Sequence, residues 1–175
     1  MSDLKRLQRE WAEAQKLDPQ VAFYLRNQKQ IEQWAALSEK ARPHVDAFYA
    51  ALRLRLEQDA PAEVFIEEQG VWSMVIWRQP GWPQTCGVGV CWKVGDLSSC
   101  FSGVRLEPGD EAIDRVMALS EGSLSSEYWT VWRAEPPPED LDFAAMAEAI
   151  RAELDRLWSV YAAVIRPELN PPQER

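Results

Sequence analysis

Hydrophobic and polar positions alternate most regularly between residues 71 and 106, and the remainder of the chain is read around that stretch. In residues 71–78, Trp72, Met74 and Ile76 alternate with Val71, Ser73, Val75 and Trp77, which is the two-residue period of a strand. Val88, Val90, Trp92 and Val94 form one face of a further strand, and Gly87, Gly89, Cys91 and Lys93 form the other. Two glycines inside a strand predict close approach of a covering element. Residues 97–106 continue the alternation after a hairpin-type turn at Gly95-Asp96. Upstream, Glu63 to Gln69 reads as a first strand, with Gly70 as its turn. Downstream, residues 128–133 (YWTVWR) read as a fifth, edge strand. These spacings predict an antiparallel meander.

The flanks carry helical periodicity. Ser2 is a candidate cap for a helix over residues 4–17, with Trp11 on its seam. Asp18-Pro19 stops that helix and starts another. Tyr24, Ile31, Trp34, Ser38, Ala41, Val45, Phe48, Leu52 and Leu56 then repeat about every 3.5 residues. Pro43 interrupts the stripe and predicts a kink or a break there. A short helix is expected over residues 110–119, capped by Asp110. After the proline-rich residues 134–138, a strong final helix is expected from Glu139-Asp140 to Pro167, with residues 170–175 as a frayed tail. Phe143, Met146, Ala147, Ile150, Leu154, Leu157, Tyr161 and Val164 form its apolar face. The expected fold class is α+β: an antiparallel four- to five-stranded sheet packed by long N-terminal and C-terminal helices. With 175 residues, a single domain is expected, the first 18 residues being an appended helix.

Composition narrows the class further. No apolar run approaches the roughly 20 residues of a membrane span. The opening MSDLKRLQRE lacks the apolar core of a secretory signal. Three cysteines in apolar strand context fit a reducing cytoplasm better than a disulfide framework. The net charge of −9 is unevenly spread. Residues 107–142 hold ten carboxylates against two arginines. Such a surface disfavours nucleic acid and favours a basic protein partner, although acidic groups also simply keep a tryptophan-rich chain in solution.

The last third resembles a recurrent prokaryotic and phage module. In that module Trp-Pro-Trp, then Tyr or Trp, then Arg or Lys, is followed by a short loop and a C-terminal helix. Trp129, Trp132 and Arg133 match the aromatic and basic positions, and Thr130 stands where proline is usual. The loop from Arg78 to Trp82 has a counterpart as well. The module occurs in accessory regions of PD-(D/E)XK-nuclease-like proteins. A working nuclease of that superfamily would need carboxylates and a lysine to hold a divalent metal and position water. Here the candidates are Glu67, Glu68, Lys93 and Asp96, but Cys91 stands where the triplet before the lysine needs a carboxylate.

Other chemistry has weak support. His44 is the one histidine and is expected to be partly buried beside Val45. Cys86, Cys91 and Cys100 with His44 have poor zinc spacing, so no metal or other cofactor is expected. Trp72, Trp92, Trp129 and Trp158 read as core or core edge, and Trp34 as facing a seam. Trp82, in a loop between prolines, reads as an interface anchor or as a lid folded back over the sheet edge.

The sequence therefore predicts a non-enzymatic, cytoplasmic protein-binding factor. The expected role is an inhibitor or antagonist in phage–bacterium conflict, of the anti-defence or immunity type. It would set an acidic surface against a basic, nucleic-acid-binding partner, without contacting nucleic acid or membrane itself. The contact candidates are Trp82, Glu135, Glu139, Asp140 and Asp142. A diverged metal-dependent nuclease and a subunit that forms a homodimer through its N-terminal helix are the alternatives.

Overall fold

A computed structural model describes Arg6, residues 18–120 and residues 129–165. The helix expected over residues 4–17, the loop and strand residues 121–128, and the C-terminal tail fall outside them, apart from Arg6. The chain divides into two units, Met1–Ala41 and Arg42–Arg175.

Helix α1 runs Pro19–Gln58. It opens as expected: the Gln20 amide donates to Asp18 Oδ1 at 2.7 Å, so Asp18 caps the first turn. Pro43 lies inside the helix, so the predicted break into two helices is not found. In the first unit, Phe23, Trp34 and Leu37 of α1 are exposed.

In the second unit, five strands follow one another in space as in sequence: β1 (Glu63–Gln69), β2 (Trp72–Arg78), β3 (Gly87–Lys93), β4 (Asp96–Arg105) and β5 (Val131–Ala134). All neighbours are antiparallel. A short α2 (Ile113–Ala118) precedes β5, and α3 (Phe143–Ile165) follows it. The α+β meander predicted from alternation is what the chain forms.

Register sorts each strand onto two faces. Val75, Trp77, Val88, Val90, Trp92, Cys100 and Val104 share one face. Their main core also takes in Phe48, Tyr49, Leu52 and Leu56 of α1 with Ile150, Leu154 and Leu157 of α3. The rings of Tyr49 and Trp92 stack at 5.0 Å, as do those of Phe48 and Phe143 at 4.9 Å. The indole N–H of Trp77 donates to the Leu56 carbonyl at 3.0 Å. That carbonyl lies in the last turn of α1, where no further helical donor reaches it. Trp77 therefore caps α1 from the sheet. Arg115 does the same for α3, donating to the carbonyls of Val164 and Ile165.

Three local expectations are corrected. His44 is exposed, because Val45, Phe48, Tyr49 and Leu52 occupy the buried stripe. The final helix begins three residues later than predicted, at Phe143. Asp140 Oδ1 accepts from the Asp142 amide, Leu141 takes φ 53°, and Asp142 becomes the cap, accepting from the Ala144 and Ala145 amides. Finally, the nearest atoms to the β3 glycines among the described residues belong to β2 and not to a separate covering element. A Cβ on Gly89 would lie 2.5 Å from the Val75 carbonyl oxygen and 3.0 Å from Ile76 Cγ1. The close approach is made by the neighbouring strand itself.

Candidate functional site: an aromatic cleft on the second sheet face

The opposite sheet face carries a smaller apolar cluster of Met74, Ile76, Cys91 and Trp129, with Phe65, Phe101 and Trp132 packed against it. No helix contributes to this cluster among the described residues. The face is built by the same alternation as the core. Register sets Phe65 beside Ile76, Met74 beside Cys91, and Cys91 beside Phe101. Gly89 pairs with Gly103, which in turn pairs with Trp132. A Cβ on Gly103 would stand 3.0 Å from Trp132 Cα and Cβ.

The walls are ordered against one another. Phe101 lies edge-to-face with Trp129 at 5.4 Å and with Trp72 at 5.9 Å. It meets Trp132 at a tilt, also at 5.4 Å. Such edge contacts hold aromatic rings in fixed orientations. They bound a cleft of about 630 Å³ lined by Trp72, Met74, Phe101, Arg105, Trp129 and Trp132, among others. This is within the size range of small-molecule sites, which are mostly apolar with few polar groups. Trp72 is 37% exposed, at the cleft's edge. The Trp132 indole N–H is buried without a hydrogen-bond partner.

Arg105 crosses this face. Its Nη1 donates to Glu67 Oε2 on β1 at 3.1 Å and approaches Met74 Sδ on β2 at 2.6 Å. To get there from β4 the side chain spans β3, on which its register partner is Gly87. Cys91 sits beneath. Burial raises its thiol to about 12, while the Arg105 charge pulls in the opposite direction. It therefore remains a protonated, unreactive thiol at neutral pH.

The residues proposed from sequence lie elsewhere. Trp82 is only 2% exposed and packs against Trp158 at 5.8 Å. Its loop folds back because the Trp82 amide donates to the Gln79 carbonyl and Arg78 donates to the Trp82 carbonyl. It is a lid over the core, so its reading as an exposed anchor is corrected. Glu135 is also buried, at 7% exposure, and accepts a hydrogen bond from Ser102. Burial raises its pKa; the Ser102 hydrogen bond and Arg133 act against that rise. It too is withdrawn from the contact surface. Glu139, Asp140 and Asp142 are exposed, in the turn that precedes α3.

The four residues of the nuclease alternative do not converge. Glu68 pairs with Arg53 of α1 at 2.8 Å, whereas Glu67 pairs with Arg105 on the opposite face. Lys93 and Asp96 meet each other at 4.0 Å in the β3–β4 turn. Hydrogen bonds from Ser98 and Ser99 hold the Asp96 carboxyl below its usual range. Among the described residues no group of three or more His, Cys, Asp or Glu is placed to hold a metal ion. Cys86, Cys91 and Cys100 are all buried and form no disulfide with one another, and Cys91 faces away from the other two. No described helix is long and apolar enough to cross a membrane.

Sequence reasoning placed Trp72 and Trp129 in the core or at its edge and so passed over the cleft. The available signal was that both alternating sets of β2 are apolar, which is one set more than a helix-covered single face requires. No protein-family model, curated protein or solved structure matches this chain.

Proposed function

We propose that this chain is a non-enzymatic binding protein whose site is the aromatic cleft on its second sheet face. The observation that carries the reading is a walled apolar cavity of about 630 Å³ on a face that no described helix covers. An exposed apolar concavity of this kind costs free energy in water and gains it when an apolar group enters. The ring contacts preorganise the walls, so little ordering remains for the ligand to drive. The test is titration with the neutral fluorescent probe N-phenyl-1-naphthylamine. Saturable one-to-one binding is expected, weakened about tenfold by Trp72→Ala, as loss of one aromatic wall implies. A folded protein that shows no saturable binding refutes the reading.

A second reading concerns a protein partner, and the turn before α3 favours it. Leu141 is 57% exposed there, between Asp140 and Asp142 and next to Glu139. An apolar side chain inside an acidic rim suits a pocket with basic edges. In this reading the chain is an inhibitor occupying a basic, nucleic-acid-binding surface, as in phage–bacterium antagonism. Leu141→Ser and Asp140→Lys would each have to weaken the complex with such a partner. Unchanged binding in both variants removes this reading.

A further inference from the structure

We propose that the ligand held in the cleft carries one anionic group, an acid on an apolar or aromatic body, and that Arg105 receives it. The inference rests on the cleft reading and names the chemistry of the occupant. Among the described residues lining the cleft, Arg105 is the only one with a formal charge. The Glu67 carboxylate that partners it is not part of the lining. The charged group that faces the cleft is therefore a cation, its carboxylate partner standing outside the lining, although the chain as a whole carries −9. A cationic ligand would find favourable indole faces but would have to sit beside this guanidinium. An anion gains from both the apolar walls and the charge.

The guanidinium has capacity to spare. Its bonds to Glu67 and Met74 both come from Nη1. Five N–H groups in a planar fork are available on an arginine, and a carboxylate or similar acid matches two of them in parallel. The side chain is only 16% exposed, so its electrostatic reach is weakly screened.

The experiment compares two probes of one shape. 8-Anilinonaphthalene-1-sulfonate has an acid group, and N-phenyl-1-naphthylamine lacks it. Arg105→Met is expected to weaken the sulfonate at least tenfold more than it weakens the neutral probe. Glu67→Gln, at a partly exposed edge-strand position, removes the competing carboxylate. It is expected to tighten the sulfonate several-fold without changing the neutral probe. This second variant keeps the test decisive if Arg105→Met does not fold. Equal effects on both probes, or no effect of Glu67→Gln on the sulfonate, overturn the inference while the cleft reading stands. If neither probe binds the folded chain, whether because a second copy covers the face or for any other reason, both fall together.

Discussion

Replacing Trp77 with phenylalanine isolates one bond that joins helix to sheet. Trp77 is fully buried, and its indole N–H is the donor for the Leu56 carbonyl. Leu56 is itself fully buried, so water has no route to replace that donor. Losing the bond and leaving a buried carbonyl unpaired costs about 1–3 kcal/mol. Phenylalanine also removes two buried ring carbons, about 1.6 kcal/mol at roughly 0.8 kcal/mol for each carbon. The edge contact with Trp158, at 6.5 Å between ring centres, is partly kept by the smaller ring. The expected loss is therefore about 3–5 kcal/mol, a large fraction of the roughly 5–15 kcal/mol that holds a typical domain folded. Urea unfolding followed by far-ultraviolet circular dichroism measures it without relying on the missing fluorophore. The midpoint should fall with the slope unchanged. A loss no larger than the about 1.6 kcal/mol of the removed carbons would refute the assignment of Trp77 as the cap of α1.

Four further outcomes follow from the same geometry. Gly89→Ala sets an overpacking cost of about 1–3 kcal/mol against an entropic gain of about 0.4–1 kcal/mol, so net destabilisation is expected in urea melts. Glu135→Gln tests the buried carboxyl. Its raised folded pKa means the folded state keeps a proton that the unfolded chain releases near pH 4.3 or so, and stability falls as pH rises through that window. The variant should therefore gain stability relative to the parent as pH rises across the window, and a constant difference in parallel melts would contradict this. All three cysteines should resist a thiol reagent in the native protein and react after denaturation, since each is buried. Association through exposed Trp34 and Leu37 of α1 would appear as concentration-dependent sedimentation that Trp34→Glu abolishes, and a monomer at every concentration would end the homodimer proposal.

Elements with a strict period were legible from sequence, and surfaces were not. The bounds of β1 were readable to the residue, because Gly70 and Asp59-Ala60-Pro61 punctuate both ends. The glycines of β3 announced close approach, but not that Val75 and Ile76 of the adjacent strand would supply it. Trp82 looked free because its neighbours in sequence are prolines, while its ring partner Trp158 lies in α3. The cleft was hidden by a symmetry in β2. Met74 and Ile76 are as apolar as Val75 and Trp77, so composition does not say which set the helices take. Arg105 gave no sign of its role, since its partners Glu67 and Met74 lie in other strands, more than thirty residues away.

The strictly sequential strand order also has a consequence for synthesis. Each strand pairs with the one made just before it, so the sheet can assemble hairpin by hairpin as it leaves the ribosome. α3 is the last of the described elements to emerge, and it supplies Ile150, Leu154 and Leu157 to the main core. Until it arrives, the Val75, Trp77 and Val90 side of the sheet has only α1, the short α2 and the Trp82 loop to shield it. The nascent chain thus passes through an interval in which a nearly complete sheet is sticky on both sides, and a ribosome stalled before residue 143 would hold it there.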